Sequence, residues 1–532
     1  MRHPPPLTVR RLLITQSRLR QISSFRPIAH VSWSRPSHAF SQSRPHPADT
    51  TNPPSSSKPG HTSGSPPDHR LLAAAQDLLI THPVSPGSPL FLPHGSRIFN
   101  KLTSFIRSQY ALYGYEEVIT PTIYKKSLWE TSGHWENYKG HMFKVTGRET
   151  EETEKQIAIG EQEKIEAEEE FGLKPMNCPG HCLLFKHAAG KLSLRDLPVR
   201  YADFSPLHRN ENSGSLSGLT RVRRFHQDDA HIFCRPSQIS QEISSTLQFI
   251  DSVYKVFHLP SYKLMLSTRP KQGYIGSLEE WNRAEAALKA SLEESGQEWA
   301  INEGDGAFYG PKIDIILTDS DGKEHQTATI QLDFQLPQRF GLTYFAPAPV
   351  AEQQGILSTD PEELKESGFV TPVIIHRAIL GSLERFLALL IEHYNGKWPF
   401  WLSPRQAIVI PVAMTDEIVR YARNVRKVVS GLPGETGRIN ANSPLAMSRR
   451  TFNVDIDESG GLFSRKVRAA KTKHYNYIIV VGEKNLNAKT VSLGPAFSQG
   501  QEHGDAGGVG RSLDMSMEEV YQRFVELENE YA

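Results

Sequence analysis

The segment LTRVRRFHQDDAH at residues 219–231, preceded by LHRNE at residues 207–211, decides how the chain folds. Arginine binds phosphate and carboxylate groups through a planar pair of N–H donors and stays charged at any physiological pH. An aromatic ring beside such arginines can stack on a base. The glycine-rich link at residues 212–218 suits a hairpin or a flexible loop that closes over a ligand. The pattern indicates a nucleotide site, although arginine-rich loops alone are weak signals.

Three further segments strengthen this interpretation. They read KPMNCPGH at residues 174–181, GAFYGPKID at 306–314 and HRAILGSLERF at 376–386. In order and spacing, the four segments resemble the catalytic core of class II threonyl-tRNA synthetases, and the resemblance covers about residues 85–532. It implies an α+β fold, in which a class II catalytic domain with an antiparallel sheet and flanking helices precedes a small α/β anticodon-binding domain.

The resemblance also implies roles for single residues. Arg209, Lys312 and Arg385 are implied to be catalytic, since adenylate formation depends on positioning the reactants and neutralising phosphate charge, with Mg²⁺ accompanying ATP. The implied ATP-binding residues are Arg209, Glu211, Arg221, Phe225, Gln326, Thr329 and Arg385. The implied threonine-binding residues are Met176, Gln227, Asp229, Tyr309, Gln331 and Ser382. The resemblance further implies tRNA(Thr), ATP and L-threonine as partners, and a homodimer whose interface includes residues 114–135.

Two metal sites compete in the sequence. Spacing alone favours a closed zinc site made of Cys178, Cys182, His231 and Cys234. The resemblance instead implies Cys178, His231 and His376, with an open position for the substrate. A metal that binds the threonine hydroxyl would reject valine. An apolar pocket, by contrast, would separate threonine from valine only about 10²-fold. Replacement of Cys182 and Cys234 distinguishes the two sites.

The N-terminal segment differs in composition from the rest. Residues 1–70 hold nine Arg and one Lys against two Asp, a net charge of +8, so the other 462 residues carry −7 of the overall +1. The first 48 residues contain no acidic residue, which is typical of a mitochondrial transit peptide and predicts the mitochondrial matrix. A basic tail that binds RNA non-specifically is the alternative. Only about 70 residues precede the core, so we expect the short mitochondrial form without an N-terminal editing domain. We therefore also expect the protein to form some seryl-tRNA that it does not hydrolyse in cis.

The sequence predicts three regions: a transit peptide and linker at 1–68, a catalytic domain at 69–402 and an anticodon-binding domain at 403–532. Within the catalytic domain we expect a helix at 97–112 and strands at 117–121, 313–318, 329–334 and 373–375, followed by a helix at 384–394. Strands at 407–412, 453–456 and 477–481 are expected in the last domain. The glutamate-rich insert at about 147–171 is either an acidic docking surface or a solvated helix or loop.

The C-terminal region supplies a basic patch. Residues 420–473 hold twelve Lys or Arg against four Asp or Glu, which fits contact with a phosphate backbone, although an exposed charged face would look the same. By resemblance, Arg468 is the candidate anticodon-binding residue.

Composition excludes some classes of protein. Three cysteines make a disulfide framework improbable, and no run of 18 apolar residues predicts a membrane span. Two rival functions remain at this stage. One is a prolyl-, seryl-, histidyl- or glycyl-tRNA synthetase, and the other is a synthetase-like RNA-binding protein without catalysis. The metal trio argues against the first, and the retained ATP-site residues argue against the second.

Overall fold

A computed structural model of the chain describes residues 66–147, 170–432, 445–446, 448–497 and 512–532. The segment predicted to be a transit peptide lies outside the described residues, apart from residues 66–68. Nearly all of the acidic insert, residues 148–169, also lies outside them.

An eight-stranded sheet forms the centre of the larger part of the described chain. Its six inner strands pair antiparallel, and only the two edge pairs are parallel. From one edge to the other, the strands are Trp299–Asn302, Lys263–Ser267, Lys312–Thr318, Glu324–Asp333, Val373–Ala378, Arg224–Cys234, Val199–His208 and Glu116–Glu117.

Side-chain alternation gives the sheet two different faces. In the strand Lys312–Thr318, Ile313, Ile315 and Leu317 point to one face and are buried in the main apolar core. Successive side chains of a strand point to opposite faces, so Lys312 and Asp314 share the other face. The sequence thereby directs apolar residues to the core and charged residues to a single polar face.

Helices cover the apolar face of the sheet and supply most of the rest of the core. In Pro93–Tyr110, for example, Ile98, Leu102 and Ile106 are fully buried at helical spacing. The helices of this part are His69–Ala75, Pro93–Tyr110, Lys126–Thr131, His134–Tyr138, Cys178–Ala188, Ile239–Val256, Leu278–Ser295, Gln335–Phe340, Pro349–Gln353, Pro361–Lys365 and Leu383–His393.

Three small sheets and three short 3₁₀ turns complete this part. The sheets pair Leu79–Ile80 with Leu90–Phe91, Tyr344–Pro347 with Ser367–Val370, and Glu170–Leu173 with both Ile123–Lys125 and Lys144–Thr146. The 3₁₀ turns are Lys139–His141, Ser213–Ser215 and Pro236–Gln238.

The C-terminal part contains a five-stranded mixed sheet with its own core. In sheet order its strands are Val454–Ile456, Ala407–Pro411, Tyr477–Val481, Val491–Pro495 and Leu513–Met515, and the first three run parallel. Its helices are Asp416–Val429, Phe463–Thr472, Glu483–Ala488 and Met517–Asn529. Parallel strands joined through helices match the α/β architecture expected for this region.

Polar contacts join the two parts, which belong to one compact unit beginning at Gly64. Arg405 lies 3.2 Å from the carboxylate of Asp77, and Lys101 forms an ion pair with Glu528. The backbone N–H of Trp401 donates to the carbonyl of Ala532 at 3.0 Å. The division at residue 402 therefore stays a prediction, although each side has a separate apolar core.

The expected elements are present, with shifted ends that have physical causes. The strand expected at 117–121 is reduced to Glu116–Glu117, because the Thr120 N–H donates to the Asp203 carboxylate and Pro121 has no N–H to donate. The strand expected to begin at Thr329 begins at Glu324. Polar side chains such as Gln326 hide the strand pattern there, since they line a cavity rather than the apolar core.

The remaining ends shift by four residues or fewer. The helix expected from Arg97 begins at Pro93, which suits a first helical turn because proline needs no N–H partner there. Among the described residues, no helix combines the length and the hydropathy needed to cross a membrane.

Candidate functional site

Strand pairing brings four predicted site residues into one row across the polar face of the sheet. Lys312 pairs with Gln331, Gln331 with His376, and His376 with His231. Adjacent strands lie about 4.8 Å apart, so the row spans roughly 14 Å. A lysine ammonium at one end and two imidazoles at the other thus share one surface.

Cys178, His231 and His376 form a potential metal centre. One ligand atom from each lies within 4.8 Å of the other two, and all three side chains are buried. Cys178 begins the helix Cys178–Ala188, whereas the histidines face each other across neighbouring strands with ring centroids 4.6 Å apart. Zinc binds thiolate and imidazole at about 2.0–2.3 Å, so small side-chain rotations bring all three ligand atoms onto one ion.

Each histidine of the trio uses one ring nitrogen for a protein contact and keeps the other for a metal. His376 Nε2 lies 2.9 Å from Asp333 Oδ2, which leaves Nδ1 available. His231 Nδ1 lies 2.8 Å from His181 Nδ1, which leaves Nε2 available. Such outer contacts fix the tautomer and the ring orientation of metal-bound histidines.

Burial favours the neutral forms of Cys178 and His231. It raises the pKa of the Cys178 thiol, and it lowers the pKa of His231, with neighbouring His376 as a further cause. A neutral imidazole is the form that binds a metal, and a cation stabilises the thiolate. The donor set, burial and outer contacts therefore fit zinc, with room for a ligand from the substrate.

The described residues do not bring the closed four-residue set together. In the described part of the chain, the trio is the only group of three or more such ligands that could hold a metal ion. Cys182 packs in a small apolar cluster with Phe185 and Phe233, and Cys234 lies in the main core. Both are fully buried, as expected for small apolar side chains.

The predicted nucleotide residues line a cavity of about 390 Å³ beside this row. Predicted residues that line it are Arg209, Glu211, Arg221, Phe225, Gln227, Lys312, Gln326, Thr329, Gln331, Ser382 and Arg385. Five further residues line it that the sequence did not single out, namely Thr220, Val222, Thr327, Ala328 and Gly381. They follow or precede predicted residues along the chain, and their side chains carry no signal of their own.

Three arginines give the cavity its charge. Arg385 donates to the carbonyls of Thr220 at 3.0 Å and Gln326 at 2.8 Å. Burial lowers the pKa of Arg385, and the charges of Arg209 and Arg221 lower it further. A group of like charges held together in this way favours binding of a polyanion such as a triphosphate.

The other two arginines have different surroundings. The Arg209 guanidinium lies 5.0 Å from the ring centroid of Phe225, and Arg221 forms an ion pair with Glu211 at 2.8 Å. Phe225 therefore offers its ring in the cavity while a cation lies over it. The ion pair with Glu211 holds Arg221 near the cavity, although the Arg221 side chain remains half exposed.

Two carboxylates hold the ammonium of Lys312, which also lines the cavity. Its ammonium lies 3.0 Å from Asp305 and also contacts Asp314. Gln326 donates to Asp314 at 2.5 Å, and Thr329 does so at 3.3 Å. Burial raises the pKa of Asp314, against the opposing effect of Lys312. Sequence reasoning missed both aspartates as partners of the lysine. Asp305 reaches it through the fold of the loop before the strand, whereas Asp314 lies two residues after Lys312 on the same face of the strand, so the strand period could have indicated it.

The predicted amino-acid residues divide between the cavity and the metal trio. Tyr309 stacks on His376 with centroids 4.9 Å apart, and its hydroxyl donates to Gln331 at 2.5 Å. Asp229 is buried, accepts from the Asn177 N–H at 3.1 Å and lies 4.0 Å from His231 Nε2. Burial raises the pKa of Asp229. Gln331 therefore connects the two regions, since it lines the cavity and contacts the tyrosine.

Met176, Gln227 and Ser382 take less central places. Met176 packs against the cluster that contains Cys178, and Gln227 pairs with Ser382 through an isolated backbone bridge on the cavity wall. Ser382 also caps the helix Leu383–His393 by accepting from the Arg385 N–H. It thereby orients the first turn of the helix that carries Arg385.

The structure places Arg468 in the C-terminal part, on the exposed face of the helix Phe463–Thr472. It therefore belongs to a separate surface from the cavity and the trio. Sequence reasoning also missed three contacts of the trio region: Asp333, Asn177, which lies inside the quoted segment 174–181, and the buried His134, whose Nε2 lies 3.8 Å from Cys178 Sγ. His181, which the sequence suggested as a structural or outer-contact histidine, touches His231 as described.

Comparison with known proteins identifies the family to which the chain belongs. The tRNA synthetase class II core domain family (G, H, P, S and T) matches residues 161–394, and the anticodon binding domain family matches residues 406–526. A Schizosaccharomyces pombe protein named as a probable mitochondrial threonine-tRNA ligase is 50% identical over 426 residues, covering 80% of this chain and 84% of that protein. The mitochondrial threonine-tRNA ligase of Saccharomyces cerevisiae is 43% identical, covering 87% of this chain and 91% of that one.

A solved structure agrees with these relatives. The crystal structure of the RNA binding domain of threonyl-tRNA synthetase from Cryptosporidium parvum superposes with a TM-score of 0.70 and 42% identity, covering 86% of this chain and 98% of that one. The antiparallel sheet with helices, the α/β C-terminal part and these full-length matches have one explanation. The chain belongs to the family of threonine-tRNA ligases, with a class II synthetase core and an anticodon-binding domain.

Proposed function

We propose that the chain is a mitochondrial threonine-tRNA ligase. It activates L-threonine with ATP to threonyl-adenylate and transfers the threonyl group to the 3′ end of tRNA(Thr). The observation that carries the proposal is the position of the buried trio Cys178, His231 and His376 beside the arginine-lined cavity. Gln331 and Tyr309 connect the two through direct contacts.

The cavity residues suit the first step of this reaction. The threonine carboxylate attacks the α-phosphorus of ATP, a bond to that phosphorus forms, and pyrophosphate leaves with the electron pair of the broken P–O bond. We assign Arg209 to the α-phosphate, Arg221 and Arg385 to the γ-phosphate, and Phe225 to the adenine ring. Lys312 lines the same cavity and would contact the carboxylate. Neutralising charge in a fixed geometry supplies the rate in such reactions, and Mg²⁺ accompanies the ATP.

The remaining contacts of the ATP are assigned to neutral and acidic side chains. We assign Glu211 to the adenine, whereas Gln326 and Thr329 line the same cavity as Lys312. In the second step, the terminal ribose hydroxyl of the tRNA attacks the carbonyl carbon of the adenylate, and AMP leaves. Positioning rather than covalent catalysis by the protein is enough for both steps.

The trio region suits recognition of threonine. When bound there, zinc supplies a Lewis acid for the substrate amino and hydroxyl groups. Asp229 would accept a hydrogen bond from the substrate amino group. Tyr309 and Gln331 would hold the same side of the substrate in position. A site that binds the hydroxyl discriminates against valine by about 10⁴–10⁵, because valine leaves that position unfilled. Met176, Gln227 and Ser382 complete the assignment as walls of the amino-acid pocket.

Three further assignments concern the rest of the chain. We place the domain boundary at residue 402, assign anticodon contact to the exposed Arg468, and assign dimerisation to the region 114–135. The last assignment is supported by Ile119, which is 92% exposed, and Ile123, which is 45% exposed. Apolar side chains exposed at that level in one region favour a protein interface. Sedimentation equilibrium of the wild type and Ile119→Asp measures it, and a monomeric wild type contradicts it.

The matrix is the proposed location, in line with the two relatives named mitochondrial. The acid-free, arginine-containing composition of residues 1–48 supports import. Residues 1–60 fused to a fluorescent reporter should enter mitochondria, whereas the same fusion with its arginines replaced by glutamines should stay outside. A reporter that stays outside with the native segment contradicts the assignment.

Amino-acid-dependent ATP–pyrophosphate exchange tests the main proposal. The purified chain is assayed with threonine, serine, valine, proline, histidine and glycine at matched concentrations. Exchange with threonine well above all the others is the expected result. Exchange led by another amino acid would reassign the substrate, and no exchange with any of them would favour a non-catalytic RNA-binding protein.

A further inference from the structure

His69 connects the N-terminal helix of the described chain to two elements of the ATP cavity. It is the first residue of the helix His69–Ala75 and is only 7% exposed. Its backbone N–H and its ring Nδ1 both lie within hydrogen-bond distance of Glu392 Oε1, at 3.2 Å and 2.7 Å. Glu392 belongs to the helix Leu383–His393, the same helix that carries Arg385.

The other ring nitrogen of His69 binds the loop between the strands Val199–His208 and Arg224–Cys234, which we call the arginine loop (residues 209–223). The backbone N–H of Leu219 donates to His69 Nε2 at 3.2 Å. A backbone N–H can only donate, so Nε2 is the acceptor, and the ring proton is on Nδ1, from which it is donated to Glu392. One neutral imidazole therefore satisfies a donor of the loop and an acceptor of the helix.

The contact is close and lies beside the residues that bind ATP. A Cβ on Gly218 would lie 2.2 Å from His69 Nε2, so the loop backbone passes directly against the ring. Leu219 is 2% exposed, and the carbonyl of the next residue, Thr220, accepts from Arg385. The residue after that is Arg221. His69 thus holds the loop at the point where it meets the helix of Arg385.

We propose that His69 is a positioning residue that holds the arginine loop against the helix Leu383–His393, and so sets Arg221 and Arg385 at the spacing that ATP requires. The proposal rests on the assignment of these arginines to ATP. Without the imidazole, the buried Leu219 N–H and the Glu392 carboxylate lose their shared hydrogen-bond partner, and the packing of the Leu219 side chain in the main core does not replace that polar contact.

The test compares His69→Ala with His69→Gln and Arg70→Ala in the full-length protein. Glutamine offers one acceptor and one donor and should restore much of the lost function. Arg70 is the matched control, because it belongs to the same helix and its side-chain stem also lies against Gly218, but its guanidinium is paired with Asp68 rather than with the arginine loop. We expect His69→Ala to raise the KM for ATP about tenfold, as loss of one buried hydrogen-bonded partner predicts. The KM for threonine and all constants of Arg70→Ala should stay near wild type.

Hydrogen–deuterium exchange adds a readout that does not depend on activity. Amides of residues 212–222 should exchange faster in His69→Ala than in His69→Gln or Arg70→Ala. A lower unfolding temperature with unchanged KM for ATP and unchanged loop exchange would overturn the proposal, because His69 would then act only on stability. If His69→Ala does not fold, His69→Leu replaces it, because leucine fills the buried space but neither donates nor accepts a hydrogen bond; normal ATP affinity and loop exchange in that variant would also overturn the proposal.

Failure of the proposed function gives a different result. Binding of a fluorescent ATP analogue needs no amino acid, so weaker binding by His69→Ala supports the positioning role even if threonine activates no exchange. Equal binding by the wild type and His69→Ala overturns the positioning role even if threonine is the substrate.

Discussion

Replacing Asp333 by Asn should weaken zinc binding without touching a metal ligand. Asp333 is fully buried, and its Oδ1 accepts from the N–H groups of Gln335 at 2.7 Å and Leu336 at 3.0 Å. Its Oδ2 lies 2.9 Å from His376 Nε2. Because two backbone donors hold the Oδ1 position, the asparagine must place its oxygen there and point its NH₂ group at the histidine.

That orientation reverses the tautomer of His376. An NH₂ group donates, so Nε2 must accept, and the ring proton moves to Nδ1, the nitrogen that the metal needs. Loss of an outer partner typically costs 10- to 100-fold in metal affinity, about 1.4–2.7 kcal/mol. We expect the upper part of that range, since the substitution opposes the required tautomer rather than merely removing a partner.

Competition with a chromophoric chelator near neutral pH measures the effect. Asp319→Asn is the matched control, because Asp319 makes the same set of contacts elsewhere. Its Oδ2 lies 2.6 Å from His325 Nε2, and its Oδ1 accepts from the N–H groups of residues 321 and 323 at 3.0 Å and 2.9 Å. Zinc dissociation constants that agree within about twofold for Asp333→Asn and Asp319→Asn would refute the reasoning, since an outer contact should change affinity at least tenfold.

Three other predictions concern the cavity, the cysteines and the C-terminal surface. Arg385→Gln should lower threonine-dependent pyrophosphate exchange by about 10²–10³. The unfolding temperature of the ligand-free protein should not fall greatly, because the substitution removes a buried charge that two neighbouring arginines repel; normal exchange would contradict the assignment to ATP. Cys182→Ala combined with Cys234→Ala should leave one zinc per chain by metal analysis, with a loss of stability as the only effect. Loss of zinc would show that the trio alone does not hold it. Arg468→Ala should slow tRNA charging about tenfold while amino-acid activation stays normal, as loss of one nucleic-acid contact predicts; equal loss in both assays would place its effect outside tRNA binding.

Many strands of the two large sheets were predictable from the sequence, because they carry apolar side chains on at least one face. The strand at 477–481 matches its prediction, since five consecutive apolar residues leave no alternative to a buried strand. The strand Glu324–Asp333 was predicted only over its second half. Its first half carries polar side chains that serve the cavity, and function there removes the pattern on which prediction depends.

The metal trio was predictable from motifs, but its contacts were not. His231 and His376 are 145 positions apart, and their pairing depends on strand register, which local sequence does not specify. The Asp333 contact with His376 and the His69 contact with Leu219 depend on the same long-range register. Asp333 looks like an ordinary residue at a strand end, and His69 like the start of a surface helix.

The row formed by Lys312, Gln331, His376 and His231 limits where sequences of the family can accept insertions. The hydrogen-bonded distance between strands sets the length of the row, and the number of residues in the connecting loops does not affect that length. Extra residues in the connections between these strands can therefore accumulate without moving the ammonium relative to the imidazoles. One residue inserted within a row strand would instead turn its side chain to the apolar face. Insertions in related sequences should thus concentrate in the connections and avoid these four strands.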